Sequence, residues 1–201
     1  MILSYTHQFV FIKTRKTAST SMEIALSRHC KKPDIITPII EEHLRNVYRT
    51  FPKNEGWYNH MPITSVRNKM KPKIFRQFFK FAIDRHPYDK AISQAYWRTN
   101  LTGPPDKNFI DTIIKKGEYK NIDLYTNTNG KLLVNKVFKY EDLPDCLTEI
   151  EQAIGISIAK DFPHAKKSRP RPSTDDILTE EHKRIIQDIC QAEFELLNYT
   201  P

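Results

Sequence analysis

Twice in this chain a short apolar run stops at a charged turn and a helix-like pattern begins at once. The first instance is FVFIKTRKTASTSMEIAL. Residues 9–12 read as a buried strand, and a helix is expected over 20–28, with Met22, Ile24, Ala25 and Leu26 as its apolar positions. The second is FFKFAIDRHPYDKAISQAYW, with a buried strand over 78–83, a turn at Arg85, His86 and Pro87, and a helix to about residue 97. Pro87 suits the first helical position, where a missing N–H leaves no bond unmade. Strand, charged turn, helix, repeated, predicts an α/β fold with a central parallel β-sheet flanked by helices. A chain of 201 residues suffices for one such domain, spanning 1–201.

Elsewhere the pattern predicts helices over 39–50 and 63–70, the latter with Thr64 and Ser65 as cap-like residues. FPKNEGWYNH reads as a loop between them. A helix over 108–116 is broken by KKGEYKN, a strand is expected over 133–138, and a helix over 147–154 stops near Gly155. FPHAKKSRPRPSTDD is a basic, proline-rich loop. A closing amphipathic helix covers 179–197, with Thr179 as its cap and Glu180 and Glu181 in its first turn.

The first turn crowds Lys13, Thr14, Arg15, Lys16, Thr17, Ser19, Thr20 and Ser21 into nine positions. A helix N-terminus offers unpaired N–H groups and partial positive charge. Hydroxyls and two cationic side chains added to it describe a phosphate or sulfate cradle. A merely capped surface helix needs only one hydroxyl. The net charge of +8 favours an anionic ligand without choosing among nucleic acid, anionic lipid, acidic glycan and phosphorylated nucleotide. The nucleotide-triphosphatase loop, G-x-x-x-x-G-K-[ST], is not matched: the turn has no glycine, and the chain has five. Asp84 is the one acidic candidate for a magnesium partner, and Arg85 adjoins it. In the second turn the planar fork of Arg85 can grip a phosphate while Ser93, eight residues on, returns a hydroxyl beneath it. The alternative is an Arg85 paired with Asp84 or Asp89.

Three cysteines, Cys30, Cys146 and Cys190, form no C-x-x-C pair, which fits a reducing compartment and no zinc site. The segment MILSYTHQFVFIK is too polar for a signal-peptide core, and no apolar stretch is long enough to span a bilayer. A complete chain of this kind is expected to be cytoplasmic.

RKTASTS resembles the 5′-phosphosulfate loop of sulfotransferases, P-K-T-[AG]-[GS]-[TS]-S. FKFAIDRHPYDKAISQAYW resembles their 3′-phosphate motif, R-[ND]-P-x-[DE]-R-x-x-S-x-Y. FKYEDL and AEFELLNY resemble two later family segments, so the resemblance runs from Phe9 to Tyr199. It implies a P-loop-like nucleotide-binding core and transfer of a sulfuryl group from 3′-phosphoadenosine 5′-phosphosulfate (PAPS) to a hydroxyl or amine, leaving 3′-phosphoadenosine 5′-phosphate (PAP). By the same resemblance Lys16 contacts the phosphosulfate and stabilises the leaving phosphate. Arg15, Thr17, Ala18, Ser19, Thr20 and Ser21 wrap it, and Arg85 and Ser93 hold the 3′-phosphate. His60, in WYNHMPITSVRNKM, matches the segment that carries the family's base, with Glu41, Glu42 or His43 as the next options. Lys167, Ser168 and Arg169 lie where the family has a segment folding over the nucleotide; the alternative is a solvated charged loop. Arg15 stands in place of the usual proline, Ser19 in place of a common glycine, and Lys90 in place of an arginine. No metal is implied. The expected partner is a small-molecule or glycan acceptor, not nucleic acid or a membrane. A phosphoryl transferase of related fold, a basic nucleic-acid-binding module and an inactive nucleotide-binding relative are the competing readings.

Overall fold

The computed structural model describes residues 1–37, 56–99, 103–160, 162–163 and 172–201. The expected helix over 39–50, with Glu41, Glu42 and His43, lies outside these, as does the basic loop with Lys167, Ser168 and Arg169. Among the described residues the strands are β1 (Ile2–Ser4), β2 (Phe9–Ile12), β3 (Ile35–Ile36), β4 (Phe79–Asp84) and β5 (Lys136–Lys139). They form one sheet in the order β3-β1-β2-β4-β5. β2, β4 and β5 run parallel, whereas β1 is antiparallel to both β2 and β3. The expected parallel sheet is therefore mixed. Its parallel centre is extended by an antiparallel edge built from short segments that periodicity missed, because two or three residues are too few to show a period.

The helices are α1 (Ser19–Ser27), α2 (Ile63–Lys69), α3 (Pro72–Gln77), α4 (Pro87–Arg98), α5 (Lys107–Lys116), α6 (Ile122–Tyr125), α7 (Asp145–Ile154), α8 (Thr174–Ile177) and α9 (Glu180–Leu197). Residues of β2 alternate between two cores. Phe9 and Phe11 pack with Phe81, Phe138, and with Met22 and Leu26 of α1 and Ile150 of α7. Val10 and Ile12 pack with Ala82, Val66 of α2, Phe75 of α3 and Tyr125 of α6. Covered on both faces, β2 has no polar position, which is why it reads as an unbroken apolar run. A third cluster joins α4, α5 and α9 through Ile92, Ile113, Ile186 and Phe194.

Caps explain several helix ends. Thr179 and His182 form a capping box that starts α9, as its sequence suggested for Thr179. α5 ends at Gly117 and α7 at Gly155, both in the left-handed conformation that glycine takes at least cost. The expectation for α2 fails in one respect: Pro62, not Thr64 or Ser65, holds the N-cap position, and no side chain caps it. No helix of the described residues is long and apolar enough to cross a membrane.

Candidate active site

β2 and β4 are adjacent and parallel, with Ile12 opposite Ala82. Their carboxyl ends, and so the two charged turns, lie side by side at strand spacing, about 5 Å. The Thr14 hydroxyl ties them together by donating to the carbonyl of Ile83. In open α/β sheets, ligands bind outside the carboxyl ends of the parallel strands.

The first turn folds as a concave loop. Lys16 (φ 63°) and Ala18 (φ 53°) are left-handed, so the sign of φ alternates along Arg15, Lys16, Thr17 and Ala18. Such alternation converges successive N–H groups on one point and makes an anion-binding nest. The absence of glycine, which told against a nucleotide-triphosphatase loop in the sequence, does not prevent this backbone. It makes it costly instead, by about 1–3 kcal/mol per left-handed residue. α1 follows directly, with Ala18 as an N-cap that offers no side-chain bond. The hydroxyls of the turn therefore do not cap the helix, and its first N–H groups open toward the nest.

Two of the hydroxyls expected to meet the anion brace the loop instead. Ser19 Oγ donates to the carbonyl of Thr14 at 2.6 Å. Thr14 and Thr17 hydroxyls are 2.7 Å apart, and since the Thr14 proton goes to Ile83, Thr17 donates to Thr14. Thr17 is fully buried. Thr20 and Ser21 lie in the first turn of α1 and are buried. Lys16 Nζ lies over the ring of Trp97, 5.0 Å from its centroid.

His60 lies against this loop. Its Nδ1 is 2.9 Å from the carbonyl oxygen of Lys13, the residue just after β2. A carbonyl can only accept, so Nδ1 carries the proton and Nε2 bears the lone pair. Burial, then the charges of Lys13 and Arg15, lower its pKa to about 4 against the support of that hydrogen bond, so the ring is neutral at pH 7.

At the second turn Arg85 points its guanidinium over Tyr140, 4.4 Å from the ring centroid, and its Nη2 is 3.3 Å from Asp89. The alternative of an Asp89 pair is thus realised, yet Arg85 Nε is buried with no hydrogen-bond partner. Asp89, Ser93 and Trp97 follow Arg85 at four-residue intervals, so Ser93 sits along one stripe of α4, between Asp89 and the indole that carries Lys16.

Beneath the two turns is a buried polar network that the sequence reading missed. Lys90, fully buried, bonds Asp84 at 2.8 Å and Glu193 of α9 at 2.5 Å. Burial pushes the ammonium pKa down, but the two carboxylates outweigh it and hold it above the usual range. Glu193 is itself shifted upward by burial. Tyr125 donates to the second Asp84 oxygen at 2.7 Å, and the Arg85 N–H and Asn121 amide reach the first at 2.8 and 3.0 Å. Asp84 thus serves as an anchor, and among the described residues no cluster of histidine, cysteine and acidic side chains is suited to hold a metal. The signal was present: Lys90 and Glu193 fall among the apolar positions of two amphipathic helices, where a charge needs a partner. A second such pair, Lys13 Nζ with Glu23 of α1 at 2.8 Å, lies under the loop.

The fold is thus a mixed α/β sheet with a concave loop and a second cationic turn at adjoining strand ends. Comparison with known proteins narrows it. A profile of the sulfotransferase family matches residues 1–152, and the chain belongs to that family. An uncharacterized protein of Archaeoglobus fulgidus is 26% identical over 104 residues, covering 48% of this chain and 83% of that relative. No solved structure matches the chain.

Proposed function

We propose that this chain, as a single domain, transfers a sulfuryl group from PAPS to a hydroxyl or amine of a small-molecule or glycan acceptor. The observation that carries the reading is the pairing of the two turns: a nest of alternating φ opening onto α1, beside a half-buried arginine just past the end of β4. One turn suits a 5′-phosphosulfate, the other a 3′-phosphate. PAPS supplies an activated sulfuryl group. The nest, a P-loop-like core, receives its charge through the backbone N–H groups of Lys16, Thr17 and Ala18, with those of Ser19, Thr20 and Ser21. Lys16 stabilises the departing phosphate oxygen as the sulfur–oxygen bond to it breaks. Arg85, through its fork and its unpartnered Nε, holds the 3′-phosphate, with Ser93 further along α4 and Lys167, Ser168 or Arg169 from the basic loop. His60 Nε2 takes the acceptor proton as the new sulfur–oxygen or sulfur–nitrogen bond forms. Positioning and charge stabilisation dominate in such loose transfers, and a sulfuryl group carries less charge than a phosphoryl, so Lys16 and the loop donors serve the leaving group. A cytoplasmic setting fits the three buried, free cysteines.

Calorimetric titration with PAP tests this, with ATP plus magnesium in parallel. The expected result is binding of the 3′-phosphorylated nucleotide that Arg85→Ala weakens. Binding of ATP plus magnesium with indifference to the 3′-phosphate would overturn it in favour of phosphoryl transfer.

A further inference from the structure

The residue that joins the nest to the rest of the molecule is Asn121. It is fully buried. Its Oδ1 accepts from the Arg15 N–H at 2.9 Å, and its Nδ2 donates to the Arg15 carbonyl at 3.0 Å. The amide thus holds both polar groups of one backbone residue, just before the left-handed Lys16. The second Nδ2 proton goes to Asp84 Oδ1 at 3.0 Å, so the same side chain also touches the foot of the Arg85 turn.

Asn121 occupies the N-cap position of α6, where an asparagine ordinarily bonds its own helix. Here it makes no such bond. Glu193 takes over that task from α9: its Oε1 accepts from the backbone N–H groups of Asn121 and of Ile122, the latter at 2.8 Å. Its other oxygen holds Lys90. The carboxylate caps α6 from outside and leaves the asparagine amide available for the loop. A residue needed only for the local fold would be bonded the other way round.

We propose that Asn121 is a positioning residue: with its own helix capped by Glu193, it clamps Arg15 and fixes the nest in its anion-receiving shape. Two non-glycine residues in left-handed conformation need such external support. The clamp also makes α9, which lies beyond the family-matched residues 1–152, a part of the site. This inference rests on the nucleotide reading above, and its test separates the two.

Asn121→Ala is compared with the unaltered protein in binding PAP and adenosine 3′-monophosphate, which lacks the 5′-phosphate that the nest would take. The clamp predicts a loss of about tenfold or more for the bisphosphate. The monophosphate should bind unchanged. Should Asn121→Ala fail to fold by circular dichroism, Asn121→Ser keeps the backbone bond to Glu193 and carries the same comparison. Equal losses for both ligands, or none for either, would overturn the clamp and leave the nucleotide reading intact. If the unaltered protein binds neither nucleotide, the functional reading falls and takes the clamp with it.

Discussion

His60 can be tested with the sign worked out in advance. Its ring is neutral at pH 7 with Nε2 unprotonated, because Nδ1–H is committed to the carbonyl of Lys13. Burial and the neighbouring cations Lys13 and Arg15 hold its pKa at about 4. For a base with that pKa, kcat/KM should stay level as pH falls from 8 to 5 and decline only as the pH nears 4. In the bound complex the anionic donor brings negative charge to the loop, which favours the imidazolium. The acid limb of kcat should therefore sit at higher pH than that of kcat/KM. Replacing the ring, as His60→Ala or His60→Asn, should lower kcat by roughly 10²–10⁴-fold, the usual worth of a general base. The same group acts on folding. Between pH 4 and 6.5 the unfolded chain binds this proton and the folded one does not, so stability is lost as pH falls through that window, by at most about 3 kcal/mol. His60→Asn, whose amide can still donate to Lys13, should remove that part of the slope in urea titrations at pH 7 and pH 5. A kcat/KM profile that halves near pH 6.5 would refute the burial argument. A kcat within about threefold of the unaltered protein for both variants would refute the role of base.

Two further predictions concern the frame. Lys90→Met leaves Asp84 and Glu193 facing each other without their shared cation, and should cost about 3–5 kcal/mol in urea unfolding; a loss below about 1 kcal/mol would mean that the pair simply protonates. Gly117→Ala puts a Cβ in a left-handed C-cap and 3.2 Å from Ile189 Cγ2. It should lower stability by about 1–2 kcal/mol, read as a drop in Tm, and leave PAP affinity unchanged.

What the sequence disclosed and what it hid follow one physical division. Signals that live within a dozen residues were legible: the continuous apolar run of β2, Pro87 opening α4, Gly155 closing α7, the Thr179 cap of α9, the charge density of the first turn. Signals that depend on a partner far along the chain were not. β1 is legible as a strand only beside β2, and its antiparallel sense turns a parallel sheet into a mixed one. The pairing of Arg85 was legible only as a choice between Asp84 and Asp89, and the fold gives it Asp89, one turn into α4. The hydroxyls of Thr17 and Ser19 looked like ligands for an anion, and the folded loop uses their protons to hold itself. The partners of Asn121 and Glu193 were hidden for the same reason: their bonds cross separations of 106 and 72 residues. Local sequence therefore set what the turn could bind, whereas residues far along the chain set the shape in which it binds. The left-handed Lys16 and Ala18 are the point at which the two meet, since a turn without glycine takes this backbone only where distant side chains hold it there.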